Sequence, residues 1–91
     1  KTVESRLFDD KRRTIQLGDK ITFVNKINPQ ETIEAEVIGL LRYRSFHAMF
    51  LNQDFHKFGG TSIEQLDNQI NAFYQQEDQD KRGVIGIEFI I

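Results

Sequence analysis

The segment at residues 84–91, VIGIEFII, constrains the fold more than any other part of the sequence. It is apolar at nearly every position, and Glu88 is its only charged residue. A strand that is exposed on one face alternates apolar and polar residues, whereas a strand buried on both faces does not. No apolar run in the chain approaches the roughly 20 residues that cross a bilayer as a helix. The composition of residues 84–91 therefore predicts a central strand. The absence of a long apolar run predicts that the chain has no membrane partner.

Three earlier segments have the composition of strands. Residues 2–8 form a short candidate, and residues 21–24 follow the pair Gly18-Asp19, which is suited to a tight turn. Thr32–Tyr43 is the longest candidate. Together with the final segment, these predict a sheet of four strands.

The longest candidate changes its pattern halfway. Ile33, Ala35 and Val37 alternate with glutamates, which predicts one buried face. Beyond Val37 the alternation breaks around Gly39, and a glycine there predicts a bulge or bend of the kind that curls a small sheet into a barrel.

The middle of the chain reads as helical. Ser45 is a candidate N-cap for a short helix, and Thr61 or Ser62 is a candidate for a second one. Residues 54–60 read as a loop, and the polar residues 75–82 extend the second helix or form a separate turn. The predicted buried positions are Phe46, Met49 and Phe50 in the first helix and Ile63, Leu66, Ile70 and Phe73 in the second. Helices enclosed by strands predict a single α+β domain over residues 1–91.

Composition narrows the environment and the partners. The chain has no cysteine, which favours a reducing compartment and predicts a cytoplasmic protein. Its net charge of −2 argues against binding nucleic acid through charge alone. Basic residues nevertheless cluster as Lys11-Arg12-Arg13 and as Arg42 with Arg44, and these could contact phosphates or simply face water.

The usual signatures of metal and cofactor sites are missing from the sequence. His47 and His56 are the only two histidines and are not at ligand spacing. We expect a structural role for His47, beside the buried residues of the first helix. Neither a nucleophile elbow nor a Walker-type phosphate loop is present. We predict no metal and no cofactor.

Charged residues cluster at the start of the chain as K-x-x-E-x-R. Lys1, Glu4 and Arg6 offer an ammonium group, a carboxylate and a bidentate guanidinium within one short strand. In an extended strand, Glu4 and Arg6 point to one face and Lys1 to the other. A plainer interpretation is ion pairing on an exposed face, which is worth less than about 1 kcal/mol.

The order of these motifs resembles a known family. K-x-x-E-x-R, the D-K-R-R turn, the segment GDKITF, an aromatic helix over residues 63–74 and the ending GVIGIEF are together similar to the ASCH domain, in the form of a small bacterial single-domain member. The resemblance implies a small PUA-like β-barrel with two or three helices packed on it. It implies a cleft lined by Lys1, Glu4 and Arg6. It also implies a strand and a helix before the motif, which this sequence lacks.

The resemblance carries one enzymatic precedent. A bacterial branch of the superfamily hydrolyses the amide of 4-acetylcytidine with a lysine, a threonine and a glutamate. Lys1 matches the lysine, Glu4 stands at the position of the threonine, and the region of the glutamate falls near Gly59. In such an enzyme Lys1 and Glu4 would be the catalytic residues.

Three functions follow from the sequence and its resemblance. The first is binding of RNA or a modified nucleotide by Lys1, Glu4 and Arg6, with Arg42, Tyr43 and Arg44 extending the surface and the tyrosine stacking on a base. The second is an amidohydrolase that acts on an acylated cytidine or a similar small nucleoside. The third is a protein-interaction domain.

Overall fold

The computed structural model describes residues 1–91, and its framework is a curled, four-stranded antiparallel sheet with three helices. The strands stand in the order β1-β4-β3-β2. Two 3-10 turns, at Arg12–Thr14 and Phe55–Phe58, complete the regular structure. The elements are β1 (Val3–Leu7), β2 (Lys20–Val24), β3 (Thr32–Tyr43), α1 (Phe46–Asn52), α2 (Ile63–Asn71), α3 (Gln76–Arg82) and β4 (Val84–Ile90).

The prediction of a central last strand is confirmed. β4 pairs with β1 on one side and with β3 on the other. Val84 packs in the cluster under the helices, whereas Ile85 and Ile87 pack in a second cluster on the opposite face. The strand has apolar residues on both faces because both faces are covered.

The sheet curls where the alternation of β3 breaks. The pairing of β3 with β4 shifts register between Val37 and Gly39, as the glycine predicted. A Cβ atom at Gly39 would lie 2.5 Å from Oε1 and 3.1 Å from Cβ of Glu88, so a larger residue would push that side chain away. The bulge gives a half-barrel rather than a flat sheet.

The helices begin as the sequence predicted. The side chain of Ser45 accepts a hydrogen bond from the Ala48 N–H, and Ser62 does the same for Gln65. Phe46, Met49 and Phe50 of α1 are buried against the sheet. The polar residues after α2 form a separate helix, α3, and the predicted loop at residues 54–60 contains the second 3-10 turn.

Two apolar residues differ from their predicted burial. Phe73 was expected on the buried face of the second helix, but α2 ends at Asn71 and the Phe73 side chain is 80 % exposed. Ile33 is also exposed. β4 pairs with β3 only from Glu36 onward, so the part of β3 that contains Ile33 has β2 as its only partner strand. None of the helices has the length and apolar composition that crossing a bilayer requires.

Candidate functional site

The three charged residues of the opening motif converge on one carboxylate. Nζ of Lys1 pairs with Oε1 of Glu4, and Nη2 of Arg6 lies 2.8 Å from Oε2. The Glu4 side chain is only 13 % exposed, so both of its oxygens are engaged in a partly desolvated position. Two cations on one carboxylate leave the cluster with a surplus positive charge.

Strand geometry explains how the cluster forms. Val3 is fully buried beneath the helices and fixes the orientation of β1. Alternation then places Glu4 and Arg6 on the opposite face, opposite Ile87 and Ile85 of β4. β1 is an edge strand, with β4 as its only partner. Nη1 of Arg6 donates a hydrogen bond to the Ser5 carbonyl oxygen at 2.7 Å.

A pocket of about 390 Å³ opens beside this cluster, between β1 and α2. Its volume lies within the range of about 300–1,000 Å³ that is typical of small-molecule sites. Six of its ten lining residues are apolar, which gives it an apolar wall and a polar rim. The wall is formed by Phe50, Phe58, Leu66, Ile70, Phe73 and Tyr74, and the rim by Lys1, Ser5, Arg6 and Gln69.

Aromatic packing makes one part of the wall rigid and leaves another open. The rings of Phe50 and Phe58 meet edge to face with centroids 5.0 Å apart, and Tyr74 stacks on Phe46 at the same centroid distance. Phe73 has no aromatic partner, and most of its ring faces solvent at the mouth of the pocket. The floor is therefore preformed, and the mouth carries a free aromatic surface.

The second 3-10 turn holds the start of the chain against the pocket. The Thr2 N–H donates to the Lys57 carbonyl oxygen at 2.8 Å. Gly59 follows with φ +78°, a conformation that favours glycine, and a Cβ atom there would lie 3.4 Å from Cβ of Lys1. Gly59, near which the resemblance places the glutamate of the hydrolytic branch, thus adjoins Lys1 but has no side chain.

Arg42, Tyr43 and Arg44 do not line this pocket. They lie at the other end of the sheet, where Tyr43 pairs with Val84. The Tyr43 ring is half-buried, and its hydroxyl accepts a hydrogen bond from Nε2 of Gln53 at 2.9 Å. The predicted surface is therefore divided into a pocket at Lys1 and Arg6 and a separate region at Arg42 and Arg44.

The sequence predicted four of the six wall residues as buried positions of the helices, but not that they enclose a pocket. Phe58 belongs to a segment predicted as a loop, and Gln69 lies on the polar face of α2. The available signals were the two phenylalanines within residues 54–60 and the adjacent aromatics Phe73 and Tyr74. These residues enclose a pocket only when α1, α2 and β1 are brought together.

The histidines lie outside the pocket and form local pairs. Nδ1 of His47 is 2.8 Å from Oδ2 of Asp67, which links α1 to α2, and Nδ1 of His56 is 2.8 Å from Oδ1 of Asp54. The backbone N–H of His56, followed by its side chain, lowers the pKa of Asp54. The structure has no group of three or more His, Asp or Glu side chains placed to hold a metal ion.

Comparison with known proteins identifies two similar structures. The crystal structure of hypothetical protein PH0355 matches with a TM-score of 0.82 and 34 % sequence identity, over 98 % of this chain and 80 % of that one. The solution structure of protein PF0455 from Pyrococcus furiosus matches with a TM-score of 0.73 and 30 % identity, over 97 % and 77 % of the two chains. No family model and no curated protein matches the chain. By these identities and this coverage, the chain belongs to the same protein family as PH0355 and PF0455.

Proposed function

We propose that the chain is a cytoplasmic, PUA-like domain of the ASCH type that binds a nucleotide, either free or as an unstacked base of RNA, in the pocket beside Lys1. The ordered motifs of the sequence support the family assignment, and the curled sheet with helices on one face is compatible with a small barrel of this kind.

An exposed aromatic ring and surplus positive charge lie together at the mouth of this pocket, and this combination is the main support for nucleotide binding. Phe73 is 80 % exposed there and contributes little to the core. A large apolar side chain in water is unfavourable, so its exposure favours a role in binding. Lys1 and Arg6 lie on the rim of the same pocket. A nucleotide combines a flat base with a phosphate, and this arrangement fits both parts.

Residues at the pocket mouth and next to it have different roles in nucleotide binding. Phe73 stacks on the base, and the Gln69 amide offers both a donor and an acceptor to the base edge. Lys1 and Arg6 contact phosphate or exocyclic oxygens. Glu4 is a positioning residue, since each of its oxygens holds one of these two cations.

Hydrolysis of an acylated cytidine has less support. The threonine position is occupied by Glu4, whose carboxylate is already engaged on both oxygens. Gly59 adjoins Lys1 without a carboxylate to act as acid or base. Of the three roles in that mechanism, Lys1 alone has a matching residue.

The test is a titration with cytidine and adenosine monophosphates and with 4-acetylcytidine, followed by chromatography for turnover. We expect binding without turnover, and a loss of about tenfold or more in affinity for Lys1→Ala, because a hydrogen bond to a charged group is worth about 1.5–3 kcal/mol. Lys26→Ala, an exposed lysine outside the pocket, is the matched control. Turnover that disappears in Lys1→Ala would replace binding by hydrolysis, and failure to bind any of the three compounds at millimolar concentration would refute the proposal.

A further inference from the structure

Unpaired cations are concentrated at the end of the sheet opposite Lys1. Six of the twelve Lys and Arg side chains have no carboxylate oxygen within 4.0 Å. Five of these six are Lys11, Arg42, Arg44, Lys81 and Arg82, all of them exposed. The sixth is Lys26, in the turn between β2 and β3.

The strand pairing brings the chain segments that carry these five residues to one end of the sheet. β1 ends at Leu7 where β4 begins, and the Phe8 N–H donates to the Gly83 carbonyl oxygen at 3.0 Å, next to Arg82. β3 ends beside them, because Tyr43 pairs with Val84. We call this region the basic end, and it comprises Lys11, Arg12, Arg13, Arg42, Arg44, Lys81 and Arg82.

The carboxylates beside the basic end reduce its positive charge but do not cancel it. Nη1 of Arg12 lies 2.9 Å from Oδ2 of Asp9, and Nε of Arg13 lies 3.8 Å from Oδ1 of Asp10. Burial would raise the pKa of Asp9, but the backbone and guanidinium of Arg12 and the more distant Arg82 together lower it. Asp9 and Asp10 are thus matched by arginines. Glu77, Asp78 and Asp80 of the adjoining helix α3 offset part of the remaining charge, so seven cations against five carboxylates leave the basic end with a surplus of two positive charges.

Phe8 organises two of these arginines. The guanidinium carbon of Arg42 lies 3.2 Å from the centroid of the Phe8 ring, and that of Arg13 lies 4.7 Å from it. Stacking fixes the plane of a guanidinium while its N–H groups remain directed outward. Arg42 makes no hydrogen bond through its side chain, so its donors are free for the bidentate contact that arginine makes with phosphate.

One row of paired residues in the sheet connects the basic end with the separate pocket. Arg6 pairs with Ile85, and Ile85 pairs with Arg42, so all three residues lie in one row on the same face of the sheet. The Cα atoms of Arg6 and Arg42 are two strand spacings apart, or about 10 Å. Arg6 therefore shares a row of the sheet with the stacked Arg42 and is also one of the rim residues of the pocket.

From this arrangement we infer that the basic end binds the phosphodiester backbone of a single-stranded nucleic acid, one base of which occupies the pocket. The inference rests on the function proposed for the pocket and specifies its ligand as an oligonucleotide rather than a free nucleotide. Contacts to phosphates position a strand without reading its sequence, and the pocket then supplies the contact to a base.

The experiment measures affinity for a fluorescent single-stranded RNA 10-mer across a range of salt concentrations, beside a titration with cytidine monophosphate. Each phosphate contact contributes about −0.7 to the slope of log K against log salt for a single strand. We expect Arg82→Gln to reduce the magnitude of the slope by about 0.7, and the triple variant Arg42→Gln, Lys81→Gln, Arg82→Gln to reduce it by about 2. Affinity for the mononucleotide should stay within about twofold of the parent, since none of the three residues lines the pocket.

Lys26→Gln is the matched control, because it removes the one unpaired cation outside the basic end. It should leave the slope unchanged. Arg82 is exposed and unpaired, so its single variant keeps the test valid if the triple variant unfolds.

Three results would overturn the inference. The first is a slope unaffected by Arg82→Gln and the triple variant, and the second is an equal effect of Lys26→Gln. The third is competition by poly-glutamate as effective as that by an oligonucleotide of the same charge, which would indicate an acidic protein partner instead. A pocket that fails to bind the mononucleotide, beside an intact oligonucleotide slope, would refute the proposed function of the pocket while supporting the basic end.

Discussion

Replacing Phe73 by alanine separates a binding role from a folding role. The Phe73 side chain is 80 % exposed and lies beyond the end of α2, so little apolar area is lost from the core. We expect the free energy of unfolding to change by less than about 0.5 kcal/mol, as for other surface substitutions. Stacking of one base on an aromatic ring is worth about 1–3 kcal/mol, which corresponds to a rise in Kd of about 5-fold to 150-fold.

The assay pairs a titration with cytidine monophosphate and a chemical unfolding curve for each variant. Phe73→Tyr keeps an aromatic face and should bind within about twofold of the parent, because every aromatic ring offers a surface for stacking. Leu17→Ala is the matched control, since Leu17 is similarly exposed and lies outside the pocket. The reasoning is refuted if Phe73→Ala binds as tightly as Leu17→Ala, or if it unfolds as readily as a core variant.

Three further substitutions test the framework that supports the site. Gly86→Ala would place a Cβ atom 2.9 Å from Sδ of Met49 and 3.0 Å from Cγ1 of Val3. We therefore expect the free energy of unfolding, measured by denaturant titration, to fall by about 1–3 kcal/mol. An unchanged unfolding midpoint would contradict this packing. Ser62→Ala removes the N-cap of α2 and should cost about 1 kcal/mol in the same assay, whereas a neutral result would show that the cap contributes nothing. Asp9→Asn keeps an oxygen for the Arg12 N–H but removes the charge. Because the folded pKa of Asp9 is lowered, its stabilisation is present above its ordinary pKa of about 3.9 and is lost as the pH falls through the folded value. The parent should therefore be more stable than Asp9→Asn at pH 7, and this difference should disappear in acid; a difference independent of pH would contradict the assignment.

Features set by local chemistry were predictable from the sequence. Ser45 and Ser62 cap their helices because a hydroxyl just before an apolar repeat satisfies free N–H groups, whatever the rest of the fold does. The bulge at Gly39 and the central position of β4 follow from a broken alternation and from apolarity on both faces. Each of these signals lies within about ten neighbouring residues.

Features that depend on distant pairing were not predictable. Phe73 continues the apolar repeat of α2, but the helix ends two residues earlier and leaves its ring at the pocket mouth. Arg42 reaches the Phe8 ring only because β4 lies between β1 and β3 and aligns their ends. The K-x-x-E-x-R cluster is visible in the sequence. The aromatic residues of the adjoining pocket wall, however, come from α1, from the second 3-10 turn and from the segment after α2, which the fold assembles around Ser5 and Lys1.

Binding of a nucleotide in the pocket beside Lys1 is tested most directly by following the backbone amide signals in a ¹⁵N-resolved NMR titration with cytidine monophosphate. We expect the largest shifts at Ser5, Gln69, Phe73 and Tyr74, which border the pocket, and none around Lys26 in the β2–β3 turn. Shifts confined to that turn, or no shift at millimolar nucleotide, would contradict it.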